Sequence, residues 1–149
     1  MEIEIGEIAP TVRQLRVLLV DDDAFMHEML ALLLNKTEFS LISATSADEA
    51  MKRVMTDAPD IVITDAIMPG ESGFSLIEKM KACPRSSRIP VILWTILEQP
   101  DGSVMDASGK ADIVIHKPFY RCDILKNLEI AKEMIAAASF VGDITFSLN

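Results

Sequence analysis

At 149 residues, half of them apolar and a quarter charged, the chain fits one globular domain with short extensions and leaves no room for two full domains. A formal net charge of −9 argues against direct binding to nucleic acid or to an anionic membrane surface, and makes basic groups the expected charged partners. The cysteines Cys83 and Cys122 form neither a metal-type cluster nor a disulfide framework, the opening MEIEIGEIAP lacks the blocks of a signal peptide, and no apolar run reaches the roughly 20 residues that span a bilayer, so a cytoplasmic location is expected.

Residues 1–15, in which Glu alternates with Ile, read as an N-terminal extension, 16–138 as the folded domain and 139–149 as a C-terminal tail. Arg16-Val17-Leu18-Leu19-Val20 is a branched apolar run that stops at Asp21-Asp22-Asp23, where a helical pattern begins with Phe25, Met29 and Leu32 or Leu33 on one face. Asp23 is the expected N-cap. A second strand is expected over 39–44, followed by a helix over 46–56 that Ser46 caps and Glu49 completes as a capping box. Residues 60–64 form a third strand, and Met68-Pro69-Gly70 shapes the loop before a helix over 74–82. Strands are expected again over 90–94 and 112–116.

Between those two strands the fourth helix is weakened by Pro100 and Gly102 and should be short or displaced. The last helix should start just after Pro118 and run to about Ser139, burying Ile124, Leu125, Leu128, Ile130 and Ile135. Ile144-Thr145-Phe146 beyond it looks strand-like, so either terminus could fray or pair as an extra edge strand. Five alternations of uninterrupted apolar strands with helices predict an α/β fold whose parallel sheet is covered on both faces.

In an open sheet of order 2-1-3-4-5, ligands bind beyond the carboxyl ends of the strands, in the crevice between strands one and three. Asp21 and Asp22 follow strand one, Asp65 strand three, Thr95 strand four and Lys117 strand five. Three carboxylates converging there would repel and take up protons unless a cation neutralised them, and an all-oxygen donor set favours Mg²⁺. A phosphoryl group passing to a carboxylate needs its oxygens neutralised, a task that the metal, Lys117 and the Thr95 hydroxyl could share.

The blocks VLLVDDD, DIVITDAIMPGESG, PVILWT and HKPF resemble, in order and spacing, the signature blocks of two-component receiver domains. The resemblance covers roughly residues 16–138 and implies a flavodoxin-like three-layer α/β/α sandwich. It makes Asp65 the phosphoacceptor, Asp22 a direct Mg²⁺ ligand, Asp21 a ligand acting mainly through water, and the backbone carbonyl of Ile67 a further ligand beside Asp65. It makes Thr95 the switch hydroxyl and Lys117 the cation that contacts the phosphoryl group, with a cis Lys117-Pro118 peptide. The implied donor is a sensor histidine kinase or a histidine phosphotransfer protein; the output partner is not legible.

In that reading the chain catalyses its own phosphorylation and turns over no separate substrate. Two other functions compete. A pseudo-receiver would keep the fold and signal by protein contact without phosphate. A phosphatase of the haloacid dehalogenase type would need a second acid two residues after its nucleophile, and that position is Ile67.

The chain departs from the family pattern at several places. Ile96 replaces the usual small residue after the switch threonine, which predicts slow reaction with small phosphodonors, and Val114 replaces the aromatic residue three before the lysine. With the broken fourth helix, these point to an output face rebuilt for an unusual partner. Ile67 and Leu97 offer no group to orient an attacking water, which predicts a slowly hydrolysing aspartyl phosphate. The remaining residues take plain readings: His27 as a surface or packing residue, His116 as structural, Trp94 and most methionines as core, and the two cysteines as idle thiols.

Overall fold

Four successive residues of the first strand, Val17 to Val20, have no exposed surface, so side chains pointing to both faces of the sheet are buried. The computed structural model, which describes residues 14–96, 109–117 and 120–148, shows how this arises. Strands β1 (Leu15–Val20), β2 (Phe39–Ala44), β3 (Ile61–Asp65), β4 (Val91–Thr95) and β5 (Ile113–His116) form one parallel sheet in the order β2-β1-β3-β4-β5.

On one face Leu18, Val20, Val62 and Leu93 pack with residues of α2 (Ala47–Asp57) and α3 (Gly73–Ala82), among them Val54, Leu76 and Met80. On the other, Val17, Leu19, Ile63 and Trp94 pack with Leu30 and Leu34 of α1 (Ala24–Leu34) and with Ile124 and Leu128 of α4 (Arg121–Leu148). The result is the parallel sheet covered on both faces that the alternation predicts, and the three-layer, flavodoxin-like sandwich that the resemblance implies. Each fully buried Leu or Ile contributes about 1.5–3 kcal/mol, and the continuous apolar strands gain it on both sides at once.

Local signals set the helix starts. Asp23 caps α1 by accepting from the Phe25 amide at 3.0 Å, and Ser46 caps α2 by accepting from Glu49 N at 3.2 Å. The return bond of that capping box lands one residue early, on the amide and hydroxyl of Thr45 at 3.0 and 3.1 Å. Ser72 caps α3 in the same way.

Three expectations are corrected. In α1 the face turned to the sheet holds Leu30 and Leu34, with Met26 and Leu33 partly buried, whereas Phe25 and Leu32 are exposed. Nearly every α1 residue is apolar, so a 3.6-residue period selects no single face. In α4 Ile124, Leu128 and Ala131 are buried while Ile130 stands partly exposed. That helix also continues to Leu148, through the strand-like Ile144-Thr145-Phe146 and the segment read as a tail, because an existing helix gains one hydrogen bond for each residue added.

β1 begins at Leu15, which is paired with Phe39. The expected fourth helix, most of the N-terminal extension, Leu97 and Pro118 lie outside the described residues. Among the described residues no helix is long and apolar enough to cross a membrane.

Candidate functional site

The carboxyl ends of β1, β3, β4 and β5 bring Asp21, Asp22, Asp65, Thr95 and Lys117 to one edge of the sheet. Register fixes the neighbours: Val20 is paired with Thr64, Asp65 with Trp94, and Thr95 with His116. One carboxylate oxygen from each of Asp21, Asp22 and Asp65 lies within 4.8 Å of the others.

The three acids sit in different surroundings. Asp21 has no exposed surface, and its oxygens are met by hydrogen-bond donors: Oδ1 accepts from the Asp23 amide at 2.9 Å, and Oδ2 accepts from Trp94 Nε1 at 3.2 Å and Lys117 Nζ at 3.3 Å. Asp22 is exposed. Asp65 lies between these extremes, with Oδ1 accepting from the Ile67 amide at 3.4 Å and Oδ2 lying 3.6 Å from Lys117 Nζ. Burial pushes the Asp65 carboxyl above its ordinary pKa, and the negative charge of Asp21 adds to the rise. The Lys117 ammonium and the Ile67 and Ala66 amides oppose it.

The loop after β3 is tied down on both sides. The Ala66 amide donates to the Trp94 carbonyl at 3.3 Å, and the Gly73 amide donates to the Ala66 carbonyl at 3.0 Å. This draws the start of α3 so close that a Cβ on Gly73 would collide with the Asp65 carbonyl oxygen. Gly70 supplies the left-handed turn (φ +82°) in the same loop. Thr95 is buried at the end of β4, and its carbonyl accepts from the Lys117 amide at 2.8 Å, which locks the base of the lysine side chain.

Lys117 offsets one of three negative charges, so the cluster retains a surplus that suits a divalent cation. The donors are oxygens throughout, and the exposed Asp22 leaves a face open to water, a combination that fits Mg²⁺. The expected grouping of Asp21, Asp22 and Asp65 with Lys117 is therefore present, with the Ile67 amide on Asp65 and Thr95 next in the chain to Trp94, whose indole touches Asp21. Ile67 and Ile96 are exposed at the same end of the sheet, 54% and 69% respectively, and so present apolar surface to anything that approaches.

Two contributors escaped the sequence reading. His27, read as a surface or packing residue, donates from Nε2 to the Asp21 carbonyl at 2.7 Å, and its Nδ1 lies 2.9 Å from Ser43 Oγ, which ties α1 to the ends of β1 and β2. Trp94 is indeed core, yet its indole N–H reaches Asp21 and its ring lies beneath Lys117 Nζ, 5.2 Å from the centroid. A helical histidine four residues past the acidic turn was the available hint for the first. For Trp94 the only hint was its place one residue before Thr95.

Residues 17–129 match the family described as the response regulator receiver domain. A gliding motility regulatory protein of Myxococcus xanthus is 34% identical over 109 residues, which cover 73% of this chain and 14% of that protein. The phosphate regulon transcriptional regulatory protein PhoB of Pseudomonas aeruginosa is 28% identical over 113 residues, 76% of this chain and 49% of PhoB. The chain thus spans half or less of these relatives. Among solved structures, the receiver domain of a signal transduction histidine kinase from Syntrophus aciditrophicus aligns with a TM-score of 0.71 at 29% identity, covering 82% of this chain and 90% of that one. The chemotaxis response regulator CheY4 of Vibrio cholerae, at 24% identity and a TM-score of 0.71 over 79% of this chain and 98% of its own, shares the fold. With this match spanning the sheet and the strand-end acids, the chain belongs to the response regulator receiver domains of two-component systems.

Proposed function

We propose that this receiver accepts a phosphoryl group on Asp65 from a phosphohistidine of a sensor kinase or a phosphotransfer protein, in the cytoplasm, and that the event depends on Mg²⁺. One observation carries the reading: three carboxylates from two strand ends converge within 4.8 Å, with the Lys117 ammonium 3.3 and 3.6 Å from two of them.

Partial burial makes the Asp65 carboxylate more basic than an exposed one, hence a better nucleophile toward phosphorus. An Asp65 oxygen attacks, the O–P bond forms as the P–N bond to the donor imidazole breaks, and the released imidazole retains the electron pair of that bond. Lys117, already beside Asp65 Oδ2, accompanies the charge on the phosphoryl oxygens, and the Thr95 hydroxyl is the second donor to them. Asp22, Asp65 and the Ile67 carbonyl would hold the metal, with Asp21 acting at one remove because its oxygens are already occupied by donors. The bound ion would supply further neutralisation of the phosphoryl charge. The phosphorylated form then shifts a two-state equilibrium that an output partner reads.

The test is incubation with a small phosphodonor such as acetyl phosphate and Mg²⁺, followed by intact-mass measurement. One phosphoryl group should be gained, and none with a chelator present or in Asp65→Asn. A folded wild-type chain that stays unmodified with both small and phosphohistidine donors would favour a receiver fold that signals by protein contact alone.

A further inference from the structure

We infer that Trp94 is a positioning residue of the acidic site, its indole N–H holding the Asp21 carboxylate in place while its ring face carries the Lys117 ammonium. The inference rests on the reading that the three carboxylates hold a divalent cation.

A carboxylate with no exposed surface needs a donor for nearly every lone pair, since an unsatisfied buried charge is costly. Among the described residues, the Asp21 oxygens accept from the Asp23 amide, the Trp94 indole and the Lys117 ammonium. The Asp23 amide belongs to the turn itself. The Trp94 indole comes from a strand 73 residues away and sets the carboxylate plane from the core side.

Sharing on one oxygen has a consequence for Lys117. With the indole N–H at 3.2 Å, Oδ2 of Asp21 serves two donors, and the lysine rests 3.3 Å from it while staying 3.6 Å from Asp65 Oδ2 and 5.2 Å above the indole centroid. Without the indole N–H, that oxygen would draw the ammonium closer and away from Asp65. Trp94 is also bound to the acceptor strand itself, paired with Asp65 and accepting the Ala66 amide on its carbonyl. A Phe at this position would fill much the same space and supply the ring, but no donor. The N–H is therefore the part of Trp94 that bears on the site, and the remainder is core.

The chain has one tryptophan, so its indole ¹H–¹⁵N resonance is unambiguous. Wild-type protein is titrated with Mg²⁺ while the backbone amides of Asp22, Ala66 and Ile67 and the indole are followed together. Amides and indole should move along one binding curve. Asp21→Asn, which weakens the acceptor by removing its charge, should move the indole proton upfield. Trp94→Phe should raise the Mg²⁺ dissociation constant about tenfold, at the low end for loss of an outer partner of a metal ligand.

Amides that titrate while the indole stays still, or a Trp94→Phe protein that binds within about twofold of wild type, would overturn the role of Trp94 and leave the metal site standing. Wild-type amides that do not respond to Mg²⁺ at all would overturn both. If Trp94→Phe does not fold, the indole shifts in wild type and Asp21→Asn decide the matter.

Discussion

The Lys117 ammonium stands 3.6 Å from Asp65 Oδ2, just beyond direct hydrogen bonding, so it is held ready beside the acceptor without being spent on it. Its shorter contact, 3.3 Å, is to the fully buried Asp21. A single cation thus serves two acids whose side chains are 1% and 16% exposed.

Lys117→Met should therefore destabilise the fold at neutral pH, because it strands charge that is already desolvated. Breaking a fully buried pair costs about 3–5 kcal/mol, and with Asp65 partly wet about 2–3 kcal/mol is expected. Urea denaturation with a chelator present gives the loss, and added Mg²⁺ should restore part of it. A variant as stable as wild type would mean that Lys117 does not neutralise this pair.

Asp65→Asn should do the reverse. Burial raises the folded-state pKa of Asp65 above its unfolded value, so the stability linked to its protonation is complete below the unfolded pKa and is lost as pH rises through the folded one. At neutral pH the anion weakens the fold, and the isosteric amide removes that cost. In the absence of divalent ions the Tm of Asp65→Asn should exceed that of wild type by a few degrees, with the gap closing as pH falls below about 4. A gap independent of pH would contradict the assignment.

Gly73→Ala places a methyl group against the Asp65 carbonyl, a backbone atom that cannot step aside. Overpacking of this kind costs about 1–3 kcal/mol, and the strain falls on the peptide that carries the acceptor. Tm should drop by several degrees and Mg²⁺ binding should weaken in the protein that remains folded.

Most of the candidate site was legible in the sequence because its residues lie at or just past strand ends, and strand ends are marked by where apolar runs stop: Val20 before Asp21, Ile63 before Thr64 and Asp65, Trp94 before Thr95. Parallel order then brings those ends together without further information. Features that depend on non-local choices were not readable. The buried face of α1 is chosen by the sheet it meets, since the helix is apolar nearly all round. The run-on of α4 to Leu148 overrides a short stretch of β-forming residues. Trp94 reads as volume, and nothing local reveals that its N–H is matched to an acid far earlier in the chain.

The lifetime of the phosphorylated form should be long. Ile67, two residues past Asp65, is exposed and offers neither a base nor an amide to a water approaching the aspartyl phosphate. After the donor is removed, label should persist for minutes or longer, and Ile67→Asn should shorten that persistence on the order of tenfold, below the range of a true general base. Loss from wild type within seconds would contradict this.

The convergence of Asp21, Asp22 and Asp65 on one divalent cation is tested most directly by Trp94 emission, since this lone indole touches both Asp21 and Lys117. Wild-type protein titrated with Mg²⁺ and then with beryllofluoride should show two saturable changes in emission, with the second absent unless Mg²⁺ is bound and both lost in Asp22→Asn. An emission that ignores Mg²⁺, with no binding by calorimetry, or an Asp22→Asn protein that responds like wild type, would contradict it.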